Sequence, residues 1–114
     1  MLGEIGGACL LLLVIYAFAG WHWYHHHPPK IPPKQKLVYA RYIKSGKWKN
    51  KAKKCKEDAN FTCSDCGITQ MDLHKRQLGQ WLHAHHLTYK RLGDELPEDL
   101  LCLCPDCHNK RHGR

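Results

Sequence analysis

The sequence predicts a small α+β domain that follows basic helices and an apolar N-terminal helix. Three observations support this prediction. An uncharged apolar run lies near the start, a lysine-rich segment with helical spacing comes next, and two Cys-x-x-Cys pairs enclose a strand-like stretch. The chain has 114 residues and seven cysteines. A folded part of this size buries little apolar surface, so a cross-link or a bound metal is expected to stabilise it.

The apolar run covers residues 5–24 and has no formal charge. A helix of about 20 residues spans the ~30 Å hydrocarbon core of a bilayer, and Trp21 and Trp23 fall where an aromatic belt would lie. The run therefore predicts a transmembrane or signal-anchor segment within residues 1–24, with residues 5–24 in contact with the membrane. Because the basic residues follow the run, we expect a single-pass protein with its N-terminus outside and its C-terminal domain in the cytoplasm.

A cleaved signal peptide is the alternative, and it would lead to secretion. Ala17-Phe18-Ala19 has the small-x-small pattern of a cleavage site, but no Lys or Arg precedes the apolar run. A Pro-rich linker over residues 25–36 comes next, because its two Pro-Pro pairs favour an extended chain. Residues 37–114 then form the predicted folded domain with its basic helical arm.

Positive charge is concentrated just before the first cysteine pair. Residues 30–60 hold eleven Lys or Arg and two acidic residues, whereas residues 61–114 hold seven of each. Ser45 is a suitable N-cap for a helix from Gly46 to Asp58, where apolar residues recur at helical spacing. The lysines between them would cover the outer face of the helix. Three interpretations are open for these lysines: contact with the phosphate backbone of nucleic acid, contact with anionic lipid, or plain solvation.

Four cysteines have the spacing of a zinc site. Cys63 and Cys66 form one Cys-x-x-Cys pair, Cys104 and Cys107 form another, and 37 residues separate the pairs. Two residues between cysteines allow both sulfurs to bind one ion from a tight turn, and two such pairs complete a tetrahedral thiolate site. The spacing predicts structural Zn²⁺, with disulfides and thiol redox chemistry as the alternatives.

Histidines accompany the cysteine pairs. The strand-like stretch LHAHHLTY contains His85 and His86, and His108 and His112 follow the second pair four residues apart. A proline opens that last segment and favours a helix, which would place the two later histidines on one face. A single histidine is most often an ordinary polar surface residue, but four at this joint spacing indicate a functional site.

The combined pattern resembles the zinc-containing HNH nuclease family, whose domain has a ββα-metal fold. The resemblance lies in HHLTYKRLGDELPEDLLCLCPDCHNKRH, residues 85–112, preceded by the first Cys-x-x-Cys-Gly, and it covers roughly residues 40–114. It implies a small zinc-stabilised ββα-metal domain that acts as a metal-dependent endonuclease on DNA.

The resemblance also implies a role for each histidine. His85, His108 and His112 would bind a catalytic divalent ion, with Mg²⁺, Mn²⁺, Ni²⁺ and Zn²⁺ as the alternatives. His86 would be the general base that takes a proton from water at neutral pH. The family's catalytic-loop asparagine matches Asp99, which is a departure, because an ionised Asp accepts hydrogen bonds but cannot donate them.

DNA would be the partner, held through its phosphate backbone. The basic residues expected to contact it are Lys47, Lys49, Lys51, Lys53, Lys54, Lys90 and Arg91. No additional recognition domain accompanies the motif, so we expect weak sequence preference or a partner protein of unknown identity. The alternative function is a catalytically inactive zinc-binding module that binds nucleic acid through its lysines. A weaker alternative is a membrane-surface protein whose arm binds anionic lipid.

Overall fold

The computed structural model describes residues 5–26, 29–76 and 79–114. Helices precede a small antiparallel sheet, and a last helix follows it. In chain order the elements are α1 (Ile5–His26), a 3₁₀ turn (Pro33–Gln35), α2 (Lys36–Tyr42), α3 (Gly46–Asp58), α4 (Gln70–Arg76), β1 (His83–His86), a second 3₁₀ turn (Pro97–Asp99), β2 (Leu100–Leu103) and α5 (Pro105–Arg111).

The apolar N-terminal run forms α1, a helix of 22 residues. No helix within the described ranges combines the length and the apolar content needed to cross a bilayer. The side chains described on α1 are those of residues 10–22, so the two ends of the predicted span lie outside them. Because no described helix meets the requirements for a membrane span, the predicted transmembrane segment over residues 5–24 and the single-pass localisation that depended on it are wrong.

The lysine-rich segment forms α3 with the bounds that the sequence predicts. The Ser45 hydroxyl accepts a hydrogen bond from the backbone N–H of Trp48 at 3.2 Å, which satisfies one of the free donors at the helix start. On its inner side Cys55 and Ala59 pack against the core. The N-cap prediction is confirmed, and α3 lies against the sheet with Lys47, Lys49, Lys53 and Lys54 exposed.

The two strands pair antiparallel, with His83 opposite Leu103 and His86 opposite Leu100. The sequence predicts that the first strand begins near Gln80, but β1 begins only at His83. The three preceding residues do not reach β2, because the side chain of Gln70 pairs with their backbone instead. Its amide donates to the carbonyl of Gln80 at 3.1 Å and accepts from the N–H of Leu82 at 2.8 Å.

The core lies between the sheet, the helices and the two cysteine pairs. Its buried members are Cys63, Leu73, Leu82, Cys102, Leu103, Cys104 and Cys107. Three of these seven are predicted zinc ligands. The cysteine cluster is therefore part of the core, and a metal bound there would hold α5 and the first cysteine turn against the sheet.

Candidate functional site

The four cysteines of the two pairs come together in one cluster, with their sulfur atoms within 4.8 Å of one another. Cys63 and Cys66 lie in a tight turn that ends at Gly67, whose φ of 76° is readily adopted by glycine. The N–H of Ser64 donates to the carbonyl of Cys102 at 2.8 Å, which fixes this turn against β2. On the other side, the sulfur of Cys104 caps α5.

The distances within the cluster suit a zinc ion. The sulfurs of Cys66 and Cys104 are 3.7 Å apart, whereas a disulfide requires about 2.05 Å. Four thiolates at about 2.3 Å around one Zn²⁺ lie about 3.8 Å from each other in a regular tetrahedron. The cluster could therefore bind a structural zinc, and it contains no disulfide among the described cysteines.

The pKa values of the cysteine thiols are shifted in different directions within the cluster. Burial by itself would raise the pKa of Cys63, but backbone N–H groups, including those of Cys66 and Cys104, lower it to about 7. For Cys107, burial raises the pKa well above the usual range of a thiol. A thiolate at that position needs a cation beside it, and a divalent ion supplies one.

Three histidines form a second cluster between β1 and α5. His85 points from β1 toward His108 and His112 on the facing side of α5, and one nitrogen from each ring lies within 4.8 Å of the others. The Nε2 atoms of His108 and His112 are 3.3 Å apart, close to the roughly 3.3 Å between two imidazole ligands at about 2.05 Å from one ion. The Nδ1 of His85 is buried without a hydrogen-bond partner.

All three imidazoles favour the neutral form that binds metals. Burial, together with the positive charge of the other two rings, lowers the pKa of His85 to about 3. Burial first, and then repulsion from His112, lowers the pKa of His108 to about 4, and burial also lowers that of His112. The cluster therefore offers three uncharged nitrogen donors at neutral pH, and its donor set fits a divalent transition metal.

His86 points to the other face of β1, because successive residues of a strand alternate. Its ring stacks on Trp48 with centroids 4.5 Å apart. Its Nε2 is 3.1 Å from the Glu95 carboxylate, and both side chains are almost fully buried. Burial lowers the pKa of His86, while the Glu95 hydrogen bond and charge oppose that shift. His86 is thus a neutral imidazole at pH 7 with one nitrogen engaged by a carboxylate.

Glu95 is held on several sides. Its carboxylate accepts a hydrogen bond from the Tyr42 hydroxyl at 2.7 Å and from the N–H of Gly93 at 3.1 Å. The ammonium of Lys51 lies 3.8 Å from the same carboxylate and donates to the Glu95 backbone carbonyl at 2.7 Å. Burial would raise the pKa of Glu95, but these hydrogen bonds lower it overall. Glu95 is therefore an ionised acceptor fixed against His86.

Asp99 braces the loop that joins the strands. Its carboxylate accepts from the N–H of Leu96 at 2.9 Å and from both Nε, at 2.8 Å, and an NH₂ group of Arg91. Its backbone carbonyl accepts from the N–H of Leu87 at 2.7 Å. The Arg91 guanidinium lowers the pKa of Asp99 to about 2. Arg91 therefore satisfies the Asp99 carboxylate as a donor, and no hydrogen bond joins Asp99 directly to His86 in the described part of the chain.

One cleft of about 660 Å³ brings the histidines together. Its lining includes His85 and His86 from β1 together with His108 and His112, although His85 and His86 are themselves almost fully buried. Its side-chain lining also contains two tyrosines, Tyr39 and Tyr89, whose rings meet edge to face with centroids 5.6 Å apart. A ligand in this cleft can reach the three-histidine cluster and His86 at once.

Most of the lysines expected to bind DNA make ion pairs within the fold. Lys47 pairs with Asp94 at 2.9 Å, Lys54 with Asp58 at 3.1 Å and Lys53 with Glu57 at 3.7 Å. Lys51 and Arg91 are engaged by Glu95 and Asp99 as described above. Within the described part of the chain, Lys49 and Lys90 have no acidic partner within 4.0 Å.

Glu95 and Tyr42 are the site residues that sequence reasoning missed. Three other acidic residues, Asp94, Glu98 and Asp99, lie within four positions of Glu95, and no periodicity in that loop shows which of them turns inward. Tyr42 comes from α2, 53 positions away in sequence. The only available signal was the position of Glu95 nine residues after His86. That spacing does not show whether the carboxylate holds the histidine or is solvated.

The comparisons with known proteins give one partial match to report. Zorya protein ZorE of Escherichia coli is 32% identical to this chain over 88 residues, which is 77% of this chain and 21% of that protein. The chain thus spans about a fifth of the length of the curated relative that it matches. No protein-family model matches the chain, and no solved structure matches it.

Proposed function

We propose that this chain is a metal-dependent endonuclease that hydrolyses phosphodiester bonds of DNA through a zinc-stabilised ββα-metal domain of the HNH type. One observation carries the proposal. Three neutral histidines converge from β1 and α5, and a fourth histidine, bound to a buried carboxylate, opens into the same cleft. This combination offers a metal-ligand set and a separate base within reach of one substrate.

His85, His108 and His112 would hold the catalytic ion. A divalent ion bound there would act as a Lewis acid that stabilises the charge on the phosphate and on the leaving oxygen. The protein contributes the placement of the three donors. His108 and His112 are four residues apart on one side of α5, and the pairing of β1 with β2, which leads directly into α5, brings His85 to face them.

His86 would take a proton from the attacking water. Since the Glu95 carboxylate can only accept, the Nε2 of His86 carries the hydrogen in this pair, and Nδ1 is the nitrogen that remains to accept a proton. The negative charge of Glu95 stabilises the imidazolium that forms, as a carboxylate does for other catalytic histidines. The stacked ring of Trp48 holds the imidazole plane in one orientation.

The other ionic pair of the loop would act on structure. Arg91 and Asp99 tie the segment after β1 to the start of β2. This segment also carries Glu95, so its stiffness determines how well the carboxylate stays against His86. Asp99 is therefore proposed as a residue that positions the loop and not as a group that reacts with DNA.

The similarity to a Zorya protein suggests a role in defence against phage. A nuclease fits such a role, because foreign DNA is a substrate that it can destroy. The shared region is a fifth of the relative's length, so the activity and the partners of the relative as a whole remain proposals for this chain.

The test is a plasmid-nicking assay with the full chain across Mg²⁺, Mn²⁺, Ni²⁺ and Zn²⁺. We expect nicking that requires an added ion and that falls by roughly 10²- to 10⁴-fold in His86→Gln, since that is the usual contribution of a general base. Glutamine retains bulk beside Trp48, and unchanged zinc content and circular dichroism would show that the variant is folded.

The inactive zinc module makes a different prediction in the same assay. It would bind DNA with a strong salt dependence, yet neither the parent chain nor His86→Gln would nick the plasmid with any ion. Equal nicking by the parent and His86→Gln would likewise contradict the nuclease proposal, because the activity would then be independent of the base.

A further inference from the structure

Three basic residues outside the lysine-rich helix line the histidine cleft. They are Lys30, Lys36 and Arg114. Two precede or begin α2, and the third follows α5, so they approach the cleft from opposite ends of the folded part. The side chains that line this cleft include no Asp or Glu. The cleft therefore combines neutral imidazoles with a positively charged rim.

The positions of these cations are fixed by local structure. Lys30 and Lys36 lie on either side of the 3₁₀ turn Pro33–Gln35, and the prolines at its N-cap, Pro32, and its first position, Pro33, restrict the backbone there. Arg114 is held by its backbone N–H, which donates to the carbonyl of Asn109 at 2.9 Å. All three side chains are exposed, so they can meet a ligand without any rearrangement of the core.

The rim differs from the α3 lysines in its charge pairing. Within the described ranges, Lys30, Lys36 and Arg114 have no acidic partner within 4.0 Å, whereas Lys53 and Lys54 pair with acids on their own helix. A paired lysine must leave its carboxylate before it can neutralise a phosphate, and an unpaired one gains the contact without that loss. The rim is thus the better anion-binding surface.

We propose that Lys30, Lys36 and Arg114 form a binding rim for backbone phosphates on either side of the phosphodiester that lies at the histidines. The nucleic-acid strand would run along the cleft, with its phosphates against the rim and its sugars and bases near the half-buried Tyr39, which offers an aromatic surface for stacking. The choice of ligand rests on the proposed function, since a nuclease cleft must hold a polyanion.

The test is a binding measurement that does not depend on cleavage. The full chain in the His86→Gln background is titrated with a short fluorescein-labelled DNA duplex at about 50 to 200 mM NaCl. The rim variant carries Lys30→Ala, Lys36→Ala and Arg114→Ala. The matched control carries Lys47→Ala, Lys53→Ala and Lys54→Ala, which removes the same charge from α3 at lysines that pair with acids.

We expect the rim variant to lose about 2.7 from the slope of log K against log [NaCl], because each phosphate contact contributes about 0.9. That loss corresponds to roughly 10²- to 10³-fold weaker binding at about 0.1 M salt. The control should lose less than the roughly 0.9 of a single contact. The slopes are compared under conditions in which circular dichroism shows the parent, the rim variant and the control to be equally folded at every salt concentration, so that a change in slope reports lost phosphate contacts.

An unchanged slope and affinity in the rim variant would overturn the proposal, and so would an equal loss in the control. Failure of the proposed function is distinguishable from this. If the parent chain nicks no plasmid but the rim variant loses DNA binding, the nuclease proposal fails and the rim proposal stands. If the parent nicks the plasmid but the rim variant binds DNA as before, the rim proposal fails and the nuclease proposal stands.

Discussion

Substitution of one cysteine in the four-cysteine cluster is expected to unfold the domain. Cys107→Ser removes a thiolate from the group of four, whose sulfurs lie within 4.8 Å of one another, while changing the side-chain volume little. A serine hydroxyl is a poor zinc ligand, because zinc at structural sites binds cysteine thiolate, histidine or carboxylate. The variant should therefore lose one equivalent of zinc per chain.

The size of the effect follows from the composition of the core. Its leucines are Leu73, Leu82 and Leu103, and at roughly 1.5–3 kcal/mol each their burial contributes roughly 5–9 kcal/mol. Zinc binding to a four-ligand site contributes about 10–16 kcal/mol in zinc-finger peptides. Small domains have a net stability of about 5–15 kcal/mol. Loss of zinc therefore removes an amount comparable to the whole net stability of the domain.

The measurement is zinc content by mass spectrometry together with urea unfolding followed by circular dichroism. The parent should unfold when a chelator strips the zinc, and Cys107→Ser should be largely unfolded without urea. Cys55→Ser is the matched control, because burial raises the pKa of Cys55 to about 11 and keeps it a thiol outside the cluster. It should keep its zinc and most of its urea midpoint.

Two results would refute this reasoning. One is a Cys107→Ser chain that keeps the parent's zinc content and urea midpoint, because the cluster would then not be a metal site. The other is loss of zinc in Cys55→Ser, because the ligand set would then differ from the one that the structure brings together. His112→Ala should keep the cluster zinc, which separates the cysteine site from the histidine site.

Three further predictions concern the core, the base and the loop. Leu103→Ala should lower the free energy of unfolding by about 2–5 kcal/mol, measured in urea at saturating zinc, because the Leu103 side chain is fully buried. The exposed-site control Leu96→Ala should change the free energy of unfolding by less than about 0.5 kcal/mol. Glu95→Gln should slow plasmid nicking by about tenfold or more, because His86 loses its anionic acceptor; a rate equal to that of the exposed-site control Glu98→Gln would contradict this role. Arg91→Lys should speed hydrogen exchange at the Leu96 amide several-fold and leave exchange at the Leu103 amide unchanged. The reason is that the Leu96 N–H donates to the Asp99 carboxylate that Arg91 holds, and a lysine cannot replace the two parallel guanidinium hydrogen bonds. Equal exchange at Leu96 in parent and variant would show that Arg91 does not brace the loop.

The local parts of the site were predictable from sequence because they depend on short, fixed spacings. A Cys-x-x-Cys turn brings two sulfurs together wherever it occurs, and residues 108 and 112 share a helix face at four apart. The α3 boundary at Ser45 was predictable for the same reason, since an N-cap acts on the first turn alone. His85 and His108 then meet because one antiparallel pair of strands connects them. Cys63 meets Cys104 because the N–H of Ser64 binds the carbonyl of Cys102 in β2.

The contacts between distant polar residues could not be predicted in this way. Glu95 reaches His86 and Tyr42, and Arg91 reaches Asp99, only because the loop folds back between β1 and α2. Several acids in that loop are equivalent in sequence, and only the folded loop decides which of them lies against His86. The first strand was predicted too long for a similar reason, because the Gln70 side chain hydrogen-bonds to the backbone of Gln80 and Leu82.

The sequence by itself therefore determined the kinds of ligand and their pairing along short stretches: four thiols for one cluster and three imidazoles for another. The tertiary structure decided the distribution of charge around them. It paired Lys47, Lys53 and Lys54 with acids of the fold, and it placed Lys30 and Arg114 at the histidine cleft instead. The physical reason is that metal-ligand spacing is a local property of the chain, whereas an ion pair depends on which surfaces the folded core brings into contact.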